Sequence, residues 1–425
     1  MVRSLPITNQ HSRASSFLNF ANSFHRLACV TTSATSSNAG AARLGFSVER
    51  LERLHRRIES FVEESKHAGI SVLLLRKGEV ADFFAVGARD LHTGAPVQGN
   101  TIMRIYSLTK IVTSVAALTL IEEGKLGLLD PIKDYLPEFS DMKIFVGGTA
   151  QHRELIPAEV PITVHHLFTH TSGFSYGDDE EPIDELYRAA GLENAESLAD
   201  LVKMLAALPL KREPGTMYEY GFSMDILARV VEVVSGQRFD HFLKERIFDP
   251  LGMVDTGFVV DQAKRDRLAK VYEHGKNGEL QPVEQFDFEV SDGVKRFAEG
   301  GSGLFSTVED YSRFGQMLCN GGELNGVRIL SRKAFEQMTV DHLCGLRITN
   351  RTYTEGYGFG LGVAVRINNG LAGTLGTLGS FGWSGKATTL CVVDPAEELV
   401  LLVFTQHFPY DEHGLFERFT NLVYQ

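Results

Sequence analysis

The sequence predicts a mixed α/β (α+β) fold: a mainly antiparallel sheet flanked by helices, with a largely helical lobe inserted between its halves. Short apolar runs rich in β-branched residues lie towards both ends of the chain, and helical periodicity fills the middle. A length of 425 residues suffices for one large domain or two intergrown lobes. The expected sheet lobe covers about 46–130 and 290–425, and the helical lobe about 131–289.

Taken in order, Leu51, Leu54, Ile58, Phe61 and Val62 recur at helical spacing and predict an amphipathic helix from Val48 to Lys66. Ile70–Leu75 and Val80–Val86 read as strands joined by a hairpin at Lys77-Gly78. A long apolar run from Ile111 to Leu118 predicts a buried helix beginning at Ser107. Proline and glycine then punctuate 131–161, where the chain leaves the first sheet. Helices are expected at Thr163–Phe168, Leu198–Leu205, Ser223–Val234, Phe239–Ile247 and Val308–Leu318. Tyr357–Val365, Leu390–Val393 and Leu399–Phe404 read as strands, and Leu415–Val423 as a closing helix.

Composition excludes several classes. A net charge of −12 argues against binding a phosphate backbone, which needs a basic surface. No apolar run approaches the roughly 20 residues that span a bilayer. Cys29, Cys319, Cys344 and Cys391 lack metal-ligand spacing and read as reduced and incidental. Residues 1–45 read as a disordered leader or a targeting segment, because no Asp or Glu occurs before Val48 while Arg3, Arg13, Arg26 and Arg43 sit among small and polar residues. A cytoplasmic location is expected, with an organellar or exported one if that segment directs transport.

The chemistry-bearing pattern is Ser107-Leu108-Thr109-Lys110 at the head of the apolar run. Positions i and i+3 share a helical face, so the lysine amine can reach the serine hydroxyl. A serine hydroxyl needs such a base before it attacks an acyl carbon, and a lysine desolvated by its neighbours suits that task. The bland reading of Ser107 is a helix N-cap. A second Ser-x-x-Lys, at Ser140 and Lys143, has no buried helix behind it and reads as a solvated loop.

Further runs follow in a telling order. Ile162–Phe174 contains His165-His166-Leu167-Phe168-Thr169-His170-Thr171-Ser172-Gly173, and Pro214-Gly215-Thr216-Met217-Tyr218-Glu219-Tyr220 comes next. Gly300-Gly301-Ser302-Gly303-Leu304-Phe305-Ser306-Thr307, Phe381-Gly382-Trp383-Ser384-Gly385 and Asp394-Pro395 complete the set. Together these resemble the signature runs of the class C β-lactamase and penicillin-binding-protein superfamily, closest to the family VIII carboxylesterases and the lovastatin-type acyltransferases. The resemblance covers about 69–406 and implies a β-lactamase/transpeptidase-like fold with the site between the lobes.

The resemblance implies Ser107 as nucleophile, Lys110 as its base, and Tyr220 as a second proton handler. It also places oxyanion-stabilising backbone N–H groups at Ser107 and Lys386. Phe222, Trp383, Ser384 and Gly385 become candidate substrate-binding residues. Two departures bear on the substrate. The usual Tyr-x-Asn reads Tyr220-Gly221-Phe222, losing an amide able to hydrogen-bond an acylamide. The usual Lys-Thr-Gly reads Trp383-Ser384-Gly385, losing a cation for a substrate carboxylate. Apolar and aromatic replacements suit a neutral acyl or aryl ester.

The expected function is therefore a serine carboxylesterase acting on small neutral esters, with no metal or organic cofactor. Transfer to an alcohol acceptor, weak β-lactamase or peptidase activity, and a scaffold on an inactive hydrolase fold are the alternatives. Three decoys compete. Gly173-Phe174-Ser175-Tyr176-Gly177 fits a Gly-x-Ser-x-Gly elbow but lacks a preceding apolar strand. His92-Thr93-Gly94 mimics Lys-Thr-Gly in a turn. His166 and His170 have i, i+4 spacing without a third ligand and read as structural.

Overall fold

The computed structural model describes residues 32–33, 38–283, 297–346, 348 and 355–425. In chain order, the elements that build the site's frame are α1 (Val48–Glu63), β1 (Gly69–Arg76), β2 (Glu79–Asp90), α2 (Thr109–Glu122), α3 (Ser223–Ser235) and α4 (Val308–Cys319). They continue with β3 (Tyr357–Phe359), β4 (Ala364–Arg366), β5 (Phe381–Gly385), β6 (Thr389–Asp394), β7 (Leu399–Thr405) and α5 (Leu415–Val423).

The strands form one antiparallel sheet in the order β2-β1-β7-β6-β5-β4-β3, with Thr32–Ser33 added outside β2. Its centre is the pairing of β1 with β7, Leu399 opposite Arg76 and Thr405 opposite Ile70. The two ends of the sequence thus close a single sheet, as the two groups of apolar runs predicted. At the β1–β2 turn Lys77 and Gly78 both have positive φ, the geometry of a two-residue hairpin that matches strand twist.

Strand β7 is buried at every position because each face meets a different helical layer. Leu399, Leu401 and Val403 pack with α1 and α5, whereas Val400, Leu402 and Phe404 join the core shared with α2 and α4. On α1 the inward stripe is Leu51, Leu54, Ile58 and Phe61, and Ser47 caps the helix by accepting the Arg50 N–H. Helix α2 is buried over Thr109–Leu120, which explains its unbroken apolar run.

Several expectations need correction. Tyr357–Val365 is not one strand but the hairpin β3–β4, closed by the Gly360 N–H donating to the Val363 carbonyl at 2.7 Å. The expected helix Phe239–Ile247 stops at Leu243 and passes into a π turn, Lys244–Phe248. The helical lobe also holds a hairpin, Lys143–Gly148 with Arg153–Pro157, and its exposed outer strand hid it from a pattern search. Most of the expected leader lies outside the described residues. However, packed structure begins before position 46: Asn38–Arg43 is a helix, and Ala41 and Leu44 are buried in the α1 layer. No helix among the described residues is long and apolar enough to cross a membrane.

Candidate active site

Ser107 sits in a 3₁₀ turn, Tyr106–Leu108, that runs directly into α2. Tyr106 has φ near +43°, a conformation that costs a non-glycine residue roughly 1–3 kcal/mol and recurs at functional sites. Surrounding structure holds it there: the Ile105 N–H donates to the Leu304 carbonyl at 3.0 Å, and Thr109 Oγ1 accepts the Leu304 N–H at 3.2 Å. Gly385 of β5 lies against the same turn. A β-carbon there would meet the Ile105 carbonyl oxygen at 2.3 Å, so only glycine lets the strand approach Ser107 this closely.

One helical turn past Ser107, Lys110 is 2% exposed and donates from Nζ to Ser107 Oγ at 3.1 Å and to the Gly301 carbonyl at 2.6 Å. Its Nζ also lies 4.6 Å from the centre of the Tyr220 ring and 5.3 Å from that of Tyr176. Among the described residues it pairs with no carboxylate. Gly301 is fixed in turn, its N–H donating to Asp225 Oδ1 on α3 at 2.9 Å. Thr113 Oγ1 on α2 donates to the Gly300 carbonyl at 2.7 Å.

Tyr220 enters from the loop before α3, and its hydroxyl donates to Ser107 Oγ at 2.8 Å. The Trp383 indole N–H reaches the same phenolic oxygen at 3.3 Å. A serine hydroxyl, an amine, a phenol and an indole N–H thus form one connected group drawn from α2, β5 and the helical lobe. Tyr220 is walled by His170 at 4.8 Å and Tyr176 at 5.4 Å between ring centres. His170 is wholly buried, and burial followed by the field of Lys110 holds it well below the usual histidine value. Burial, then the charge of Asp225, holds the Tyr176 phenol above its usual value, so both groups stay uncharged at pH 7.

Most predicted site residues converge here. Phe222 packs edge-on against Tyr176 at 4.7 Å and borders Tyr220 at the head of α3. Ser384 does not join the group. Successive residues of a strand face opposite ways, and its Oγ instead shares a 2.6 Å hydrogen bond with the Tyr410 hydroxyl. Lys386 has an exposed side chain over the Phe408 ring, 5.7 Å from its centre.

The decoys separate cleanly. Ser175 is buried, donating to Asp184 Oδ1 at 2.7 Å and accepting the Gly177 N–H at 2.9 Å. Ser140 is exposed and bonds the Pro137 carbonyl at 2.7 Å. His92 lies in an exposed turn whose N–H is taken by Asp90. His166 closes a capping box with Thr163. Tyr176 and Asp225 were missed as site residues. Tyr176 was legible only as a member of the misleading Gly-x-Ser-x-Gly run.

A Ser–Lys–Tyr cluster, its lysine buried, between an antiparallel sheet and a helical lobe defines a serine hydrolase of the mixed α/β type. The chain belongs to the Beta-lactamase family, whose description fits residues 54–422. It is 32% identical over 350 residues to Protein Rv1367c of Mycobacterium tuberculosis, covering 80% of this chain and 86% of that protein. To Esterase EstB of Burkholderia gladioli it is 28% identical over 373 residues, covering 83% and 89% of the two chains. The solved structure of EstCE1, described as a hydrolase with promiscuous acyltransferase activity, superposes with a TM-score of 0.76 at 24% identity. That superposition covers 89% of this chain and 99% of the other.

Proposed function

We propose that this chain is a serine carboxylesterase for small neutral acyl or aryl esters, working through an acyl-enzyme on Ser107. The observation that carries the reading is the Ser107 hydroxyl held at 3.1 Å from the Lys110 amine and 2.8 Å from the Tyr220 hydroxyl. In the forward step Ser107 Oγ attacks the ester carbonyl and its proton passes to Lys110. The negative oxygen that forms is met by the backbone N–H groups of Ser107 and Lys386. Tyr220 then protonates the departing alcohol and recovers a proton from Lys110, which had taken the one released by Ser107, so the pair ends as it began. Water repeats the sequence on the acyl-enzyme and releases the acid.

Aromatic and neutral walls favour an ester over a lactam. Phe222, Tyr176 and Trp383 offer no cation to a substrate carboxylate and no amide to an acylamide. The similarity to a protein named an esterase supports the same preference. The test is the intact mass of the protein after brief exposure to a p-nitrophenyl ester, beside Ser107→Ala and Ser175→Ala. An acyl adduct or turnover that vanishes in Ser107→Ala and survives in Ser175→Ala is the expected result. Survival in Ser107→Ala with loss in Ser175→Ala overturns the assignment, and nitrocefin turnover matching ester turnover overturns the substrate preference. An added alcohol acceptor, read as new ester against free acid, sorts transfer from hydrolysis.

A further inference from the structure

Behind the turn that follows β5, four side chains far apart in sequence converge on one point. The strand Tyr272–His274 supplies His274, the parallel strand His407–Phe408 supplies His407, and the following loop supplies Glu412 and His413. His407 Nε2, His274 Nδ1 and His413 Nε2 lie 3.1, 3.4 and 3.5 Å from a single atom, Glu412 Oε2. All four ligand-type atoms fall within 4.8 Å of one another.

Hydrogen bonding alone does not account for this convergence. His274 Nε2 lies 3.0 Å from the Ser65 carbonyl, which can only accept, so the imidazole hydrogen resides on Nε2. His274 Nδ1 faces Glu412 Oε2 at 3.4 Å. His413 Nε2 is buried and makes no hydrogen bond among the described residues. A cation at the common centre of the four side chains does account for the convergence. Bonds of about 2.0–2.1 Å to a tetrahedral metal set neighbouring ligand atoms about 3.3–3.4 Å apart, close to the three separations from Glu412 Oε2.

We infer that His274, His407, His413 and Glu412 form a four-coordinate site for a divalent transition metal, of which zinc best suits three imidazoles and one carboxylate. With four protein ligands the site is closed and structural, with no position left for a reacting water. It lies directly behind the catalytic turn. The His407 N–H donates to the Ala387 carbonyl at 3.2 Å, Thr388 Oγ1 donates to the His407 carbonyl at 3.2 Å, and Phe408 packs on Tyr106 at 5.8 Å between ring centres. A metal here braces the segment against which Gly385–Thr388 and the Ser107 turn are set.

The test uses the untagged full chain, stripped with a chelator and dialysed against zinc. One zinc per chain by elemental analysis is expected, together with the visible absorption of four-coordinate cobalt on substitution with cobalt(II). Zinc should also raise the melting temperature. The double variant His274→Ala/His413→Ala removes two partly exposed ligands and should lose the metal and the cobalt spectrum while keeping its circular dichroism. Glu412→Gln, which preserves shape, should weaken zinc about 10–100-fold, an effect of the size seen when metal-site contacts are removed. Wild-type protein that retains no zinc, or a double variant that retains as much as wild type, overturns the site.

Discussion

Lys110 and Lys211 are both almost wholly removed from solvent, at 2% and 1% exposure, yet their surroundings are opposite. Lys211 is enclosed by carboxylates, with Asp179, Asp184, Glu219 and Glu181 at 2.6, 3.0, 3.2 and 3.4 Å. Burial works against its charge, but the hydrogen bonds it donates to Asp179 and Asp184 and the field of Glu219 outweigh it and hold Lys211 above the ordinary lysine value. Lys110 has instead a hydroxyl, a carbonyl and two aromatic faces. The first arrangement locks a proton in place; the second sets the lysine nitrogen beside a nucleophile with no carboxylate against it among the described residues. Burial alone therefore does not mark a lysine for catalysis, and the partners decide.

That contrast can be broken by experiment. Lys110→Ala should lower kcat for a p-nitrophenyl ester by about 10²–10⁴-fold with little change in melting temperature. Lys211→Met should do the reverse. It strands the fully buried Asp184 and should cost about 3–5 kcal/mol in urea unfolding, with kcat per folded molecule nearly unchanged. Exchange of these two phenotypes would mean the roles had been misassigned. Trp383→Phe keeps an aromatic ring, removes the N–H that reaches Tyr220 and leaves a small cavity, so a fall in kcat of about 2–10-fold with a stability loss of about 1–2 kcal/mol is expected.

The smallest effect concerns His170, which burial and, after it, the field of Lys110 keep uncharged. Its folded value lies below the unfolded value of about 6.5. Its contribution to stability is therefore complete above pH 6.5 and is lost as pH falls towards the folded value. Asn tolerates the positive φ of this position, so His170→Asn should flatten the decline of unfolding free energy between pH 6.5 and 5, by at most about 1.4 kcal/mol per pH unit. An unchanged slope would show that other histidines set the acid side.

Much of the site was legible in the chain because its parts are carried by local signals. The apolar run after Ser107 foretold the burial of Lys110, and the order of motifs placed Tyr220 and Gly385 beside them. The fold was legible where periodicity was clean, as in α1 and β7. What escaped depends on the third dimension. Nothing near Tyr176 indicates that its ring faces Lys110, and Ser384 shares the motif of Trp383 yet bonds Tyr410 instead. The histidine cluster joins position 274 to 407–413 through a parallel strand pair that no spacing rule anticipates. Tyr357–Val365 misled because its apolar residues alternate with Gly358, Gly360 and Gly362 at strand spacing, while its chain reverses between Gly360 and Val363.

Pairing β1 with β7 joins residues more than three hundred positions apart. On a ribosome, β1, β2 and the nucleophile turn emerge long before the strands that complete their sheet. Until then the inner edge of β1 is an unpaired, largely apolar template, and a nascent chain must shelter it. The order of synthesis therefore makes assembly of the Ser107–Gly385 junction a late event, and chains arrested before Leu399 should be both inactive and dependent on chaperones.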